Sequence, residues 1–373
     1  MNIALLSTGF LGKNEATAIT LIDFSKELMK SGNKVVIISE KRKESSRYEK
    51  IDGVQIYRIG FPIRNEILKS IWDIYNRIIA HTLAIRRMKR KNKAEFDIIH
   101  NFSAAPILSL RVILSKIISP NAKIIHTLKS YSRERTGTLF YRLLNYVDVI
   151  TVPTAVYARK LLSFGVKKEK IKVIHSHINT HKFFPKNKQE LKEKYHLSRK
   201  KVVLYYGSMW ENKGTDILIR AIPYITKSSP DIVFIFIPRN MPYAKKYESS
   251  LQSLGRNTML INQEVNIPEY VALAELVVLP YTTLIGTEGN PSCLLEAMAC
   301  KTPVVTTALP EIIEIAQDCV LMAKPGDVAS LAETISLALK KYPAEIVEKA
   351  YQQAQNFSVE KIAQELVQIY KQG

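Results

Sequence analysis

Two glutamates, Glu288 and Glu296, stand seven residues apart, with Gly289-Asn-Pro-Ser-Cys-Leu-Leu295 between them. Asn290 has the short polar side chain of an N-cap, and Pro291 suits the first helical position, where its missing N–H costs nothing. A helix that starts there aims the N–H groups of Ser292 and Cys293 outward, with the positive end of the helix dipole behind them. The matching ligand is an anion, and a diphosphate fits well. Glu296, over a turn deeper, is placed to accept hydrogen bonds from a ribose diol. Glu288, in the loop ahead of the helix, is placed to reach a sugar hydroxyl on the far side of the phosphates. Leu294, Leu295, Ala297 and Met298 supply core contacts. The same window also reads as a buried amphipathic helix with two incidental glutamates.

Such a helix needs a sheet to hold it. Ile3–Ser7 reads as a short apolar strand, followed by a glycine-bearing loop, a helical pattern over Ala16–Lys30 ended by Gly32, and a strand over Lys34–Ser39. This strand–loop–helix–strand unit begins a doubly wound parallel sheet. A similar unit begins with the strand Lys201–Tyr206, the loop Gly207–Gly214 and a helix from Thr215. At 373 residues and 46% hydrophobic content the chain suits two domains with full cores. The three cysteines, Cys293, Cys300 and Cys319, fit neither a disulfide framework nor a metal-ligand spacing, which suggests a reducing compartment. The opening run Ile3–Leu6 reads as a strand and not as a signal peptide, and no apolar run reaches the ~18 residues of a transmembrane helix. No Asp-x-Asp pair occurs, so a divalent-metal diphosphate site of that type is missing, and without a Ser-His-Asp arrangement or a Walker loop hydrolase and NTPase readings find no support. His175, His177 and His181 cluster without a carboxylate or cysteine nearby, a poor spacing for a metal.

These residues carry a resemblance. The stretch from Glu288 to Met298, with Pro303 to Val305 after it, is similar to the motif of the retaining, nucleotide-sugar-dependent glycosyltransferases of family four (group 1), which have the GT-B fold. Many members carry Glu-Gly-x-Pro, then Leu-Leu-Glu-Ala-Met-Ala and a Pro-Val-Val strand. Gly207-Ser-Met-Trp-Glu-Asn-Lys-Gly214 resembles the family's Gly-Arg…Lys-Gly motif, whose arginine and lysine neutralise the leaving diphosphate. Lys213 matches, and Ser208 replaces the arginine. The loop Thr8–Glu15 resembles the Gly-Gly-x-Glu turn that approaches the donor phosphates; Gly12 matches, and Lys13 stands where the second glycine is usual. Lys129 ends a strand where members often place a histidine that touches the donor sugar; a shifted alignment gives that role to His126. The segment from Ile171 to Pro185 looks like the family's hinge.

The resemblance implies an α/β, GT-B fold: two Rossmann-like domains facing across a cleft. Residues 1–180 form the acceptor side, 181–355 bind the nucleotide-sugar, and 356–373 return as a C-terminal helix to the first domain. It implies retaining transfer from a UDP- or GDP-sugar to a glycan or lipid-linked acceptor, with no cofactor and no metal. The leaving phosphate takes the acceptor proton, so orientation and charge stabilisation are what the protein supplies. Glu288, Lys213 and Lys129 become the catalytic candidates. Gly12, Ser208, Lys213, Asn290, Ser292, Cys293 and Glu296 become the donor-binding ones. The departures at Ser208 and Lys129 keep open a non-transferring member of the same architecture, an epimerase or an inactive sugar-binding subunit.

Charge adds a location. The net charge is +20, and it is uneven: residues 1–180 carry 32 lysines and arginines against 14 acids, residues 181–373 carry 22 against 20. A nucleic-acid partner would explain a basic half, but no recognition motif or aromatic-interleaved basic sheet accompanies it. The densest basic run is Arg86, Arg87, Lys89, Arg90, Lys91 and Lys93, downstream of Ile67, Leu68, Ile71, Trp72, Ile74, Tyr75, Ile78 and Ile79, most of which share one face of a helix over 67–93. Anionic lipid attracts each nearby basic residue by ~1 kcal/mol. The reading is a protein of the cytoplasm, peripheral on the anionic inner face of the membrane. A first-domain helix packed on its sheet, with a solvated basic end, is the alternative.

Overall fold

A computed structural model describes residues 1–7, 16–41, 45–60, 74–92, 95–130, 137–227, 229–239, 241–285, 289 and 291–372. The chain forms two compact units. Unit 1 comprises Met1–His175, Ile285–Gly289 and Val359–Gly373; unit 2 comprises Ser176–Leu284 and Asn290–Ser358.

Unit 1 is built on eight strands: β1 (Asn2–Ser7), β2 (Lys34–Glu40), β3 (Tyr48–Ile51), β4 (Val54–Ile59), β5 (Ile98–Ser103), β6 (Lys123–Leu128), β7 (Val149–Val152) and β8 (Ile171–Val173), in the order β3-β4-β2-β1-β5-β6-β7-β8. Only the edge strand β3 runs antiparallel, on β4. The central strands are near-continuous apolar runs because helices cover both faces; Ile3, Leu5, Ile37 and Ile99 are fully buried. Helix α1 (Ala16–Lys30) packs against the C-terminal helix, Val359–Lys371. That last helix is fastened to the sheet by the Tyr370 hydroxyl, 2.7 Å from His100 Nδ1, and by Lys123 Nζ, which donates to the Ile369 carbonyl at 2.6 Å.

Unit 2 holds six parallel strands: β9 (Lys201–Gly207), β10 (Ile232–Pro238), β11 (Thr258–Leu260), β12 (Leu276–Leu279), β13 (Val304–Thr307) and β14 (Leu321–Ala323), in the order β11-β10-β9-β12-β13-β14. The sheet order reverses direction beside β9, and in such sheets ligands bind outside the carboxyl ends of the strands at that switch point.

The contacts divide the chain at His175/Ser176 where the sequence reading put 180/181. Ile178 is the reason: its N–H donates to the Phe357 carbonyl at 2.8 Å and it pairs with Ser358, which ties both the segment after His175 and residues 357–358 to unit 2.

The basic segment also departs from expectation. Ile67, Leu68, Ile71 and Trp72 lie outside the described residues. From Tyr75 to Ile79 the backbone is a π turn, which continues as helix α2 (Ala80–Asn92). The wider turn shifts the helical register, so the apolar residues do not share one buried face. Ile78, Ala80, Ala84 and Ile85 pack inward, whereas Ile74, Ile79 and Leu83 are 59%, 43% and 46% exposed.

Candidate active site

The donor-side residues gather at the carboxyl end of β9. Here Tyr205 and Tyr206 precede Gly207 and Ser208. The Tyr205 hydroxyl donates to the Ser208 carbonyl at 2.9 Å and is 2.9 Å from Thr215 Oγ1, so one buried side chain fixes both ends of the Gly207–Gly214 loop. Gly214 has φ +68°, and a Cβ there would lie 1.8 Å from the Pro280 carbonyl oxygen, so no other residue fits. The Asn212 carbonyl accepts the Thr282 N–H at 3.1 Å. Lys213 Nζ sits 4.6 Å from the centre of the Tyr281 ring, a cation–π contact that holds the ammonium at the loop after β12.

Helix α3 (Ser292–Ala299) starts one residue later than the sequence suggests. Pro291 is its N-cap and not its first helical residue: ψ of 119° takes it out of the helix, and its carbonyl accepts the Leu294 N–H at 3.1 Å. Asn290, the expected cap, lies outside the described residues. Ser292 and Cys293 therefore open the first turn. Cys293 is buried against β9: the Tyr206 hydroxyl donates to its carbonyl at 3.0 Å, and its Sγ is 3.7 Å from the Tyr206 carbonyl.

Glu296 follows one turn on. Burial pushes its carboxyl above the ordinary carboxylate range, against the pull of the Arg239 charge, the neighbouring Tyr206 and Ser292 side chains, and the Lys182 charge. Its neighbour Tyr206 is driven well up, first by burial and then by the Glu296 charge. A half-buried carboxylate one turn inside a helix N-terminus can accept two hydroxyl groups, while the first-turn amides face an anion. Ser208, Lys213, Ser292, Cys293 and Glu296 thus all belong to unit 2.

Lys129 belongs to unit 1. Its Nζ is 3.3 Å from Thr20 Oγ1 on α1, and its carbonyl accepts the Gly289 N–H at 3.3 Å. The alternative, His126, is a core residue: it is fully buried, bonded at Nδ1 to Asn101 Nδ2 (2.9 Å), and held down to about 3, chiefly by burial. Gly12, Glu288 and Lys93 lie outside the described residues. Lys91 falls within α2.

The remaining basic residues divide by role. Arg87 donates to the Tyr57 hydroxyl at 3.3 Å; Lys89 donates to the Ile118 carbonyl at 2.9 Å and pairs with Glu95. These two also have partners within unit 1, although Arg87 is exposed. Arg86 and Arg90 are exposed. They continue the outward stripe of Ile79 and Leu83 at helical spacing. Among the described residues no group of three or more His, Cys, Asp and Glu is placed to hold a metal ion, and no helix is long and apolar enough to cross a membrane. His175 is 2.9 Å from the Pro153 carbonyl through Nδ1.

Sequence reasoning overlooked Tyr206, Arg239, Tyr281 and Tyr157. The signal for the first was available, since a tyrosine next to the glycine that ends β9 lies at the sheet's carboxyl edge. The other three depend on tertiary placement.

The chain matches two family models, "Glycosyltransferase Family 4" over residues 17–182 and "Glycosyl transferases group 1" over residues 200–341. Among curated proteins it is 21% identical over 353 residues to the phosphatidylinositol N-acetylglucosaminyltransferase GPI3 subunit of Saccharomyces cerevisiae, covering 91% of this chain and 75% of that one. It is 25% identical over 177 residues to the GDP-mannose-dependent alpha-(1-6)-phosphatidylinositol monomannoside mannosyltransferase of Mycolicibacterium smegmatis, 45% of this chain and 46% of that one. Among solved structures, Anabaena Alr3699/HepE in complex with UDP and glucose superposes with a TM-score of 0.78 at 17% identity, with 99% of both chains covered. With strand order, sheet direction and the matched segments in agreement, the fold is GT-B and the chain belongs to the group 1, family 4 glycosyltransferases.

Proposed function

We propose that the protein transfers a sugar from a nucleoside diphosphate donor, a UDP- or GDP-sugar, to a lipid-linked or other glycan-precursor acceptor, with retention at the anomeric carbon and without a metal. The observation that carries this reading is the Tyr206–Ser292–Glu296 cluster at the start of α3, beside the loop that bears Lys213. In it the first-turn amides of α3 receive the diphosphate, Glu296 accepts the ribose hydroxyls, and Lys213 balances the charge that grows on the leaving phosphate. That developing charge is the largest demand of the reaction, and fixed cations and dipoles meet it without reorganisation. The leaving phosphate takes the acceptor proton. Glu288 contacts the sugar being transferred. A structural relative bound to UDP, and relatives named as a phosphatidylinositol N-acetylglucosaminyltransferase subunit and a GDP-mannose-dependent phosphatidylinositol monomannoside mannosyltransferase, support the donor and acceptor classes.

The lipid acceptor agrees with the outer surface of α2. Ile74, Ile79 and Leu83 followed by Arg86 and Arg90 present an apolar end and a basic end on one stripe. Interfacial helices combine these features, with apolar residues at the acyl boundary and cations among anionic headgroups. In this reading the protein docks peripherally on the inner leaflet.

A thermal-shift screen with UDP, GDP and their sugars tests the donor, because a ligand that binds only the native state raises the melting temperature by mass action. With the donor identified, NMR of the product gives its anomeric configuration. Retention, with turnover unchanged in EDTA, is the expected result. An inverted product overturns the retaining assignment, and loss in EDTA restored by Mn²⁺ overturns the metal-free one.

A further inference from the structure

Gly289 follows Glu288 directly, and unlike most turn glycines it does not owe its identity to its backbone: its φ is not in the left-handed region. Space is the constraint. A Cβ placed on Gly289 would lie 2.5, 2.7 and 2.9 Å from Cζ, Cε1 and Cε2 of Tyr157, so the backbone rests directly on the tyrosine ring. On its other side the Gly289 N–H donates to the Lys129 carbonyl at 3.3 Å. Gly289 and its two partners all belong to unit 1.

The ring is itself fixed. Tyr157 is 1% exposed, in the first turn of the helix Ala155–Ser163. That helix is capped by Thr154, whose Oγ1 accepts the Tyr157 N–H at 3.2 Å. Lys129 is equally constrained, at the end of β6 with its ammonium on Thr20 of α1. A rigid aromatic floor and a rigid carbonyl therefore hold Gly289, the residue that follows Glu288 in the chain.

We propose that Tyr157 is a positioning residue for the transfer reaction: its ring and the Lys129 carbonyl form a seat that admits only glycine at 289, the residue next to Glu288 in the chain. This rests on Glu288 touching the transferred sugar, as in the proposed function. It also gives Lys129 a role, through its carbonyl, that does not depend on a side chain able to replace the family's histidine. The ring face is what matters, so Tyr157→Phe keeps the seat, whereas Tyr157→Leu removes the flat surface and Gly289→Ala cannot enter it.

Two measurements on the full chain test this. The first is hydrogen exchange of peptides spanning 285–291, which requires no activity. Exchange should be faster in Tyr157→Leu and Gly289→Ala than in wild type, and unchanged in Tyr157→Phe. Equal exchange in all four proteins overturns the seat. The second is steady-state turnover beside UDP affinity and melting temperature. A misplacement of about 1 Å costs on the order of 10²-fold in rate, so kcat in Tyr157→Leu should fall by roughly that factor while Kd for UDP stays within about twofold. A parallel loss of UDP affinity and melting temperature would mean that Tyr157 only supports the fold, and wild-type turnover in Tyr157→Leu would mean that the seat does not matter to catalysis; either overturns the proposal. If wild type turns over no nucleotide-sugar, the functional reading of the previous section fails, and the exchange data alone decide the seat.

Discussion

Units 1 and 2 are both parallel sheets clad in helices, yet they use polar residues in opposite ways. Unit 1 buries them. The Arg111 guanidinium is fully enclosed and donates to Asn101 Oδ1 (2.5 Å) and the Leu6 carbonyl (3.5 Å), with His81 Nε2 at 3.3 Å. Burial lowers its pKa to about 9. His81 and His100 are driven well below the usual imidazole range, in both cases chiefly by burial, and so stay neutral inside the core. In unit 2 the polar residues around Tyr206 and Glu296 lie at the carboxyl edge of the sheet, and several surface cations are ion-paired, as in Lys194–Glu269, Lys246–Glu211 and Lys301–Glu348. A buried hydrogen-bonded network restricts the core around it to one arrangement; an edge cluster with a half-buried carboxylate leaves acceptors for a ligand. On the proposed function, unit 1 is the basic platform and unit 2 the nucleotide holder.

The largest test of that contrast is Lys213→Met. If unit 2 supplies the charge balance, kcat should fall by about 10²–10³-fold, the loss typical of removing one preorganised group that stabilises developing charge. Binding to vesicles should be unaffected. A variant with wild-type turnover would move the counter-charge elsewhere, and Arg239, whose N–H donates to the Gly207 carbonyl at 2.9 Å and whose charge reaches Glu296, would be the residue to examine.

The counterpart on unit 1 is Arg86→Gln with Arg90→Gln. At ~1 kcal/mol for each cation near an anionic surface, the double variant should partition onto phosphatidylserine-containing vesicles about thirtyfold more weakly, and Leu83→Gln should weaken it further. Nucleotide affinity should not change. Co-sedimentation at rising ionic strength checks the electrostatic part. Equal partitioning onto neutral vesicles, or none onto anionic ones, would leave unit 1's charge unexplained by a membrane.

The two units also differ in how far they could be read from sequence. The helix over Ala16–Lys30 and the strands β1, β2 and β9 follow from local signals: apolar runs and a glycine stop. Lys301 shows the limit. Its backbone is left-handed (φ +55°), a conformation that favours glycine, yet it carries a lysine whose ammonium lies 2.7 Å from Glu348 and 4.5 Å from the Tyr351 ring centre. Partners far along the chain hold a backbone that the local sequence disfavours. In the basic run, likewise, nothing near Arg87 or Lys89 announces Tyr57 or the Ile118 carbonyl. In the nucleotide-side motif, Ser292 and Glu296 were legible because one helical turn separates them, whereas Tyr206 and Arg239 come from neighbouring strands.

Glu296 sharpens the comparison by a smaller effect, because it sets function against stability in unit 2 alone. Its carboxyl is raised by burial, so the folded protein holds that proton more tightly than the unfolded chain does. The sign follows from linkage: the group's stabilising contribution is present below the unfolded carboxyl pKa, about 4.3 for a free glutamate, and is lost as pH rises through the higher folded value. At neutral pH an ionised Glu296 therefore weakens the fold slightly, and Glu296→Gln should melt at a higher temperature than wild type. Nucleotide binding runs the other way, since the carboxylate is the better acceptor for a ribose diol. Loss of a charged hydrogen bond is worth ~1.5 kcal/mol or more, so Glu296→Gln should bind UDP about tenfold more weakly at neutral pH. The wild-type affinity should decline toward that of the variant on acidification, beginning above the pH at which an ordinary glutamate protonates, while the variant's own affinity lacks that decline. Calorimetric UDP titrations across pH, paired with melting curves, read both arms. A variant that binds UDP as tightly as wild type would remove Glu296 from the nucleotide site, and one that melts lower would show that the carboxylate serves the fold of unit 2 and is not held there at its expense.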